Sequence, residues 1–171
     1  MIMVILESLY LFLPAYIANM SPVLFGKIPV LDKPVNVKFF GKNKTWRGIL
    51  AAVIMGTLVF YLQKMAYGSG FTQLALIDYS DFSLLLGFLL GLGAILGDLL
   101  KSYYKRKSGI EPGKPWPFWD QEDFVFGALL LSFFVYVPPA EAALVIVLAS
   151  PLLHLAANYI GYLLGIRKEK F

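Results

Sequence analysis

The stretch that decides the fold is FSLLLGFLLGLGAILGDLLKSYYKRK, residues 82–107. Its apolar run is broken only by Asp98 and ends in Lys101, Lys105, Arg106 and Lys107. About 20 apolar helical residues cross a bilayer core of roughly 30 Å, so 82–104 reads as a transmembrane helix with a basic end. At helical period, Gly87, Gly91, Asp98, Ser102 and Lys105 share one stripe with Lys101 at its edge, while Gly93 and Gly97 fall opposite. Small residues on two faces predict a central helix packed closely on both sides. A carboxylate this deep is costly, which marks Asp98 as a functional position.

Working outward, four more stretches read as spans. Residues 2–20 carry Glu7 and a mid-span Pro14, where a kink is expected. Residues 48–67 have Lys64 near their end, where it can snorkel, and 142–166 hold His154. The charge-free run 124–137 reaches only ~21 Å against a core of ~30 Å, so that span is expected to start near Phe118 and run over 118–137. Asp120 and Asp123 then lie in its first turn. The expectation is an all-α integral membrane protein of five transmembrane helices, one membrane-embedded domain over 1–171.

Composition agrees. Of 171 residues, 58% are hydrophobic and 15% charged, and mean hydropathy is +0.69, whereas soluble domains carry about 25% charged residues. A disordered chain is excluded, and so is a soluble nucleic-acid binder despite the net charge of +4. With no cysteine and a single histidine, thiolate and histidine-rich metal sites are excluded too.

The basic residues set the orientation. Lys27, Lys33, Lys38, Lys42, Lys44 and Arg47 fall in the 21–47 loop, the Lys101–Lys114 group in the 101–122 loop, and Arg167, Lys168 and Lys170 in the tail. The alternate loops, 68–81 and 138–141, have no basic residue. The positive-inside rule puts the N-terminus outside and both long basic loops and the C-terminus in the cytoplasm, in a multi-pass protein of the cell membrane. Prolines at 22, 29, 34, 112, 115 and 117 make these loops stiff and non-helical.

Chemistry gathers on that side. Asp120 and Asp123, at i and i+3, can face one cation, and Asp98 lies at the same depth. Mg2+ prefers oxygen ligands and is held by one or two carboxylates plus substrate phosphates. Nearby lysines and an arginine would take the remaining phosphate charge. Topology alone accounts for Lys107 and Lys114, and the membrane interface for Trp116 and Trp119, but neither accounts for three carboxylates among the loop cations. Ahead of the second span, Lys42-Asn43-Lys44-Thr45-Trp46-Arg47 is rich in donors but lacks the glycines of a phosphate-binding P-loop. His154 is expected to be hydrogen-bonded within the bundle.

These residues carry a family likeness. Gly97-Asp98, Ser102, Lys105-Arg106 and the Asp120/Asp123 pair, with the Pro-Gly-x-Pro-Trp-Pro-Phe-x-Asp-Gln run at 112–121 and Lys44-Thr45-x-x-Gly48, resemble the archaeal CDP-archaeol synthases, relatives of the CDP-diacylglycerol synthases. The bacterial histidine-glycine-glycine loop is replaced by residues 115–119, and Gln121 stands in place of an arginine, which favours the ether lipid over a diacyl one. The resemblance implies transfer of CMP from CTP to an isoprenoid ether-lipid phosphate, digeranylgeranylglyceryl phosphate, giving CDP-archaeol and pyrophosphate with Mg2+ as cofactor. It implies Asp98, Asp120 and Asp123 as metal ligands and Lys105 and Arg106 as phosphate ligands. Lys42, Asn43, Lys44, Thr45 and Arg47 would bind the nucleotide, with Ser102 nearby. The glycine-lined face of the third span would leave a groove for prenyl chains. Assembly as a homo-oligomer stays open. The competing readings are a CTP-dependent polyprenol kinase, a polyprenol-phosphate sugar transferase and a non-enzymatic transporter subunit or scaffold.

Overall fold

A computed structural model describes residues 2–111, 114, 116 and 119–165. Pro112, Gly113, Pro115, Pro117, the expected start of the fourth span at Phe118 and the basic tail at 167–170 lie outside the described residues, as does the expected end of the last span at 166. The described chain is helical: α1 (Ile2–Leu24), α2 (Val37–Phe40), α3 (Trp46–Gly68), a 3-10 turn at Tyr79–Asp81, α4 (Leu85–Lys107), α5 (Trp119–Ser132) and α6 (Ala140–Leu163). Among the described residues there is no strand, and α1, α3, α4 and α6 are long and apolar enough to cross a membrane.

α1 runs through Pro14 and Pro22 as one helix. Proline cannot donate to the carbonyl four residues back, so Tyr10 and Ala18 lose their helical partners. Buried Gln63 of α3 donates through Nε2 to the Tyr10 carbonyl at 2.5 Å, and Ser21 Oγ donates to the Ala18 carbonyl at 2.8 Å. Side chains thus replace the missing backbone donors, as apolar surroundings demand. Gln63→Leu should destabilise the protein by about 1–3 kcal/mol, read as a lower Tm in detergent, because the Tyr10 carbonyl is left buried and unpaired.

α4 is central. Of its apolar window 56% is buried, against 17% for α6, which packs on α1 and α5 at the edge of the bundle. One glycine face meets α3: a Cβ at Gly91 would lie 2.8 Å from the Ala52 carbonyl oxygen, and one at Gly87 2.3 Å from Phe60 Cβ. The other meets α5: a Cβ at Gly93 would lie 2.4 Å from the Gly127 oxygen, and one at Gly97 2.0 Å from the Asp123 oxygen. Both faces pack backbone against backbone, as the two-sided pattern predicts. The expected prenyl groove along Gly87 and Gly91 is absent, because α3 fills it. Periodicity identifies a small-residue face without saying whether a helix or a ligand occupies it.

Two other expectations change. α5 ends at Ser132, not 137, because Val135 and Tyr136 turn their amides back to the Ser132 carbonyl ahead of Pro138. A residue preceding proline is driven out of helical geometry, so the chain leaves the helix early. The first basic loop is not wholly non-helical either, since Asn36 accepts from the Phe39 amide at 3.1 Å and caps the single turn α2. Lys64 donates to the carbonyls of Tyr79 (2.6 Å) and Phe82, clamping the 3-10 turn at the end of the bundle remote from the basic loops.

Candidate active site

Successive long helices alternate in direction, which brings the C-terminal ends of α1 and α4, the N-terminal ends of α3 and α5 and the C-terminal half of α6 together. They enclose a cavity of about 580 Å³ lined in part by Asn43, Lys44, Thr45, Asp98, Lys101, Lys105, Asp120 and Asp123. The sequence places these groups there by simple means. Thr45 caps α3, accepting from the Gly48 amide at 3.2 Å, so the residues just before it sit at the cavity rim. Asp98, Lys101 and Lys105 follow one another up a single face of α4. The Gly97–Asp123 backbone contact brings the first turns of α5 against that face.

The charges interlock. Lys44 pairs with Asp98. Lys101 Nζ lies 3.2 Å from Asp98 Oδ1, 3.1 Å from Asp120 Oδ1 and 2.7 Å from Asp123 Oδ2. Lys105 Nζ donates to both Asp120 oxygens at 3.1 Å and to the Lys114 carbonyl at 2.5 Å. The Trp116 amide donates to Asp120 Oδ2 at 2.6 Å, and the Phe124 amide donates to Asp123 Oδ1 at 2.7 Å. Asp123 Oδ2 is buried, and the Lys101 ammonium is its ion-pair partner among the described residues. Three carboxylates pair with three ammonium groups, and Lys114, which topology alone was expected to explain, is a fourth lysine in the wall, so the cavity presents cations to an anionic ligand and carboxylate oxygens to a metal.

Of the residues singled out from the sequence, Asp98, Asp120, Asp123, Lys105, Lys44, Thr45 and Asn43 line this cavity, and Lys42, Arg47, Ser102 and Arg106 do not. Arg47 donates to the Ile28 carbonyl and its amide to Leu31, which pins the first loop to the start of α3. Ser102 Oγ turns back to the Asp98 carbonyl at 2.8 Å. Lys42 is exposed. The Nε and one terminal nitrogen of Arg106 are buried without a hydrogen-bond partner among the described residues. No group of three His, Cys, Asp or Glu side chains among the described residues has the arrangement of a formed metal centre, because the carboxylates surround an ammonium.

Lys101 is the residue the motif reading passed over, although its place three residues after Asp98 on α4 was visible. His154, Asn158 and Asn19 also line the cavity and form part of the wall of a second, largely apolar one of about 300 Å³ between α1 and α6, with Val23, Ala157, Ile160 and Gly161. The Phe124 ring lies 6.2 Å from that of His154. Ala157 and Gly161, one turn apart on α6, form the small-residue face that leaves room for this groove.

The CarS-like CDP-archaeol synthase family matches residues 1–171. CDP-archaeol synthase of Methanocaldococcus jannaschii is 37% identical, over 94% of this chain and 93% of its own. That of Pyrococcus furiosus is 35% identical, over 92% and 93%. A solved structure of an intramembrane enzyme for archaeal membrane-lipid biosynthesis superposes with a TM-score of 0.68 at 36% identity, covering 90% of this chain and 94% of that one. A charged cavity at the end of an apolar bundle, matched by sequence and fold along nearly its whole length, places the chain in the CDP-archaeol synthase family.

Proposed function

We propose that the protein is a cytidylyltransferase that moves CMP from CTP onto the phosphate of an isoprenoid ether lipid, digeranylgeranylglyceryl phosphate, releasing pyrophosphate. The observation that carries this is the adjacency of two cavities: one walled by four lysines and three carboxylates, the other largely apolar and sharing Asn19, Val23, His154 and Asn158 with it. The first suits nucleotide phosphates, and the second suits prenyl chains.

In the reaction an oxygen of the lipid phosphate forms a bond to the α-phosphorus of CTP, and the bond from that phosphorus to the pyrophosphate oxygen breaks. The nucleophile is already an anion, so no proton needs to be removed. The obstacle is repulsion between two polyanions, and Lys44 and Lys105 at the cavity wall reduce it by pairing with phosphate oxygens. The donor set is of the kind a hard divalent cation takes, since Asp98, Asp120 and Asp123 each turn an oxygen toward one point, where the Lys101 ammonium now sits. These three residues would hold Mg2+, which when bound offsets negative charge on the phosphates. Asn158, buried at the junction of the cavities, is placed to orient the glyceryl phosphate.

In the membrane, α5 serves as a fifth, short crossing, the site faces the cytoplasm and the N-terminus lies outside. The gathering of the basic loops at the site end of the bundle supports this orientation. Lys44→Met should raise the KM for CTP about tenfold or more, in line with loss of a charge-assisted contact, with little change in the KM for lipid. Gly161→Trp, which fills the α1–α6 groove, should do the reverse in the same assay.

The reading is tested with purified protein in detergent supplied with CTP, Mg2+ and digeranylgeranylglyceryl phosphate, with diacyl phosphatidic acid in parallel. A CDP-lipid found by mass spectrometry with equimolar pyrophosphate, formed from the ether lipid in preference, is expected. Absence of a CDP-lipid with either acceptor, from protein that is folded, contradicts it.

A further inference from the structure

One ammonium group sits where the three carboxylates converge. Lys101 Nζ has three N–H donors and three acidic neighbours, Asp98 at 3.2 Å, Asp120 at 3.1 Å and Asp123 at 2.7 Å. Among the described residues no other lysine is shared in this way: Lys44 reaches Asp98, and Lys105 is tied between Asp120 and the Lys114 carbonyl. The carboxylates cannot spread apart to relieve their repulsion, because the α4–α5 backbone contact at Gly97 and Asp123 leaves no slack. Side-chain exposure is 13% for Lys101 and 4% for Asp123, so water screens this cluster poorly.

A divalent cation would need the same oxygens. Mg2+ binds oxygen at about 2.0–2.1 Å, and an ammonium within hydrogen-bonding distance of those oxygens occupies the point at which they converge. The two cations exclude each other. We propose that Lys101 is a resident counter-cation that keeps the carboxylate cluster assembled and is displaced when the metal arrives. Its flexible stem then swings the ammonium off the carboxylates and into the open part of the same cavity, toward the nucleotide phosphates. This rests on the metal part of the function proposed above. It also assigns Lys101 a task separate from that of the carboxylates, as a positioning residue that sets how tightly the empty site takes metal.

The test uses the full chain in detergent with Mn2+ alone as the probe, without CTP or lipid, so it is independent of transferase activity. Lys101→Met and Lys101→Arg are purified with Mn2+ present and then stripped with EDTA. Mn2+ affinity is read by electron paramagnetic resonance and stability by Tm. Wild type should bind Mn2+ weakly and show the same Tm with and without it. Lys101→Met should bind Mn2+ at least tenfold more tightly, lose Tm on stripping and regain it with Mn2+; loss of the fold on stripping, reversed by Mn2+, is the same result in stronger form. Lys101→Arg, which keeps the charge, should stay near wild type. Mn2+ binding by Lys101→Met no tighter than by wild type overturns the proposal, as does a matching rise in Lys101→Arg or a variant that fails to fold even with Mn2+.

Discussion

Asp123→Asn should lower kcat for cytidylyl transfer by about a hundredfold or more, the scale on which loss of one preorganised electrostatic group is felt. The substitution keeps size and shape. Asp123 Oδ1 accepts from the Phe124 amide at 2.7 Å, a bond the amide oxygen of asparagine can also accept, so the first turn of α5 should hold. What disappears is the charge facing Lys101 at 2.7 Å and, in the proposed reaction, a metal ligand. The KM for lipid should change little, because the apolar groove is not lined by this residue. Its neighbour is the control. Glu122 is fully buried, with both carboxylate oxygens lacking a hydrogen-bond partner among the described residues, yet it does not line the cavity. Glu122→Gln should keep kcat within about twofold and leave Tm unchanged or higher, since it replaces a buried ionisable group by a neutral one of the same shape. Steady-state kinetics and thermal unfolding on the two variants separate chemistry from burial at adjacent positions.

The second large effect is on the fold. A side chain at Gly97 would place Cβ 2.0 Å from the Asp123 backbone oxygen, far inside van der Waals contact and against backbone that cannot rotate away. Gly97→Leu forces α4 and α5 apart at the point where the carboxylates are held together. Overpacking costs about 1–3 kcal/mol when neighbours can adjust and more when they cannot. The expected outcome is a protein that is not recovered folded or that unfolds at much lower temperature without detectable transfer. Gly68, at the end of α3, has no atom within 4 Å of a built Cβ, so Gly68→Ala should match or slightly exceed wild-type stability. Size-exclusion profile and Tm in one detergent decide between these outcomes.

The legible part of this molecule was what periodicity and charge can encode. The 82–107 stretch identified its own helix, both small-residue faces and a buried carboxylate, and α4 is indeed packed on both sides with Asp98 at the cavity. Asp120 and Asp123 were readable from their spacing, and the structure brings them to Asp98. Less legible was anything that depends on which neighbour fills a face. The Gly87–Gly91 stripe looks the same whether it meets α3 or a prenyl chain. The groove between α1 and α6 has a trace in Ala157 and Gly161, but that small-residue pair is equally what a packed helix face would show. Lys101 was hidden by abundance, as one of several cations at a basic helix end, and only the convergence of two helices distinguishes it. Arg47 and Ser102 show the converse: motif positions whose side chains bond to nearby backbone, as polar groups at helix ends often do.

The fate of each phosphate of CTP distinguishes cytidylyl transfer from every alternative. Purified protein is given Mg2+, digeranylgeranylglyceryl phosphate and, in separate reactions, CTP labelled at the α- or the γ-phosphate, with a polyprenol supplied in parallel as an alcohol acceptor. α-Label is expected in the lipid and γ-label in released pyrophosphate, with neither appearing in the alcohol. Transfer of the γ-label to the alcohol would identify a kinase, and no Mg2+-dependent transfer of either label from folded protein would contradict the enzymatic account altogether.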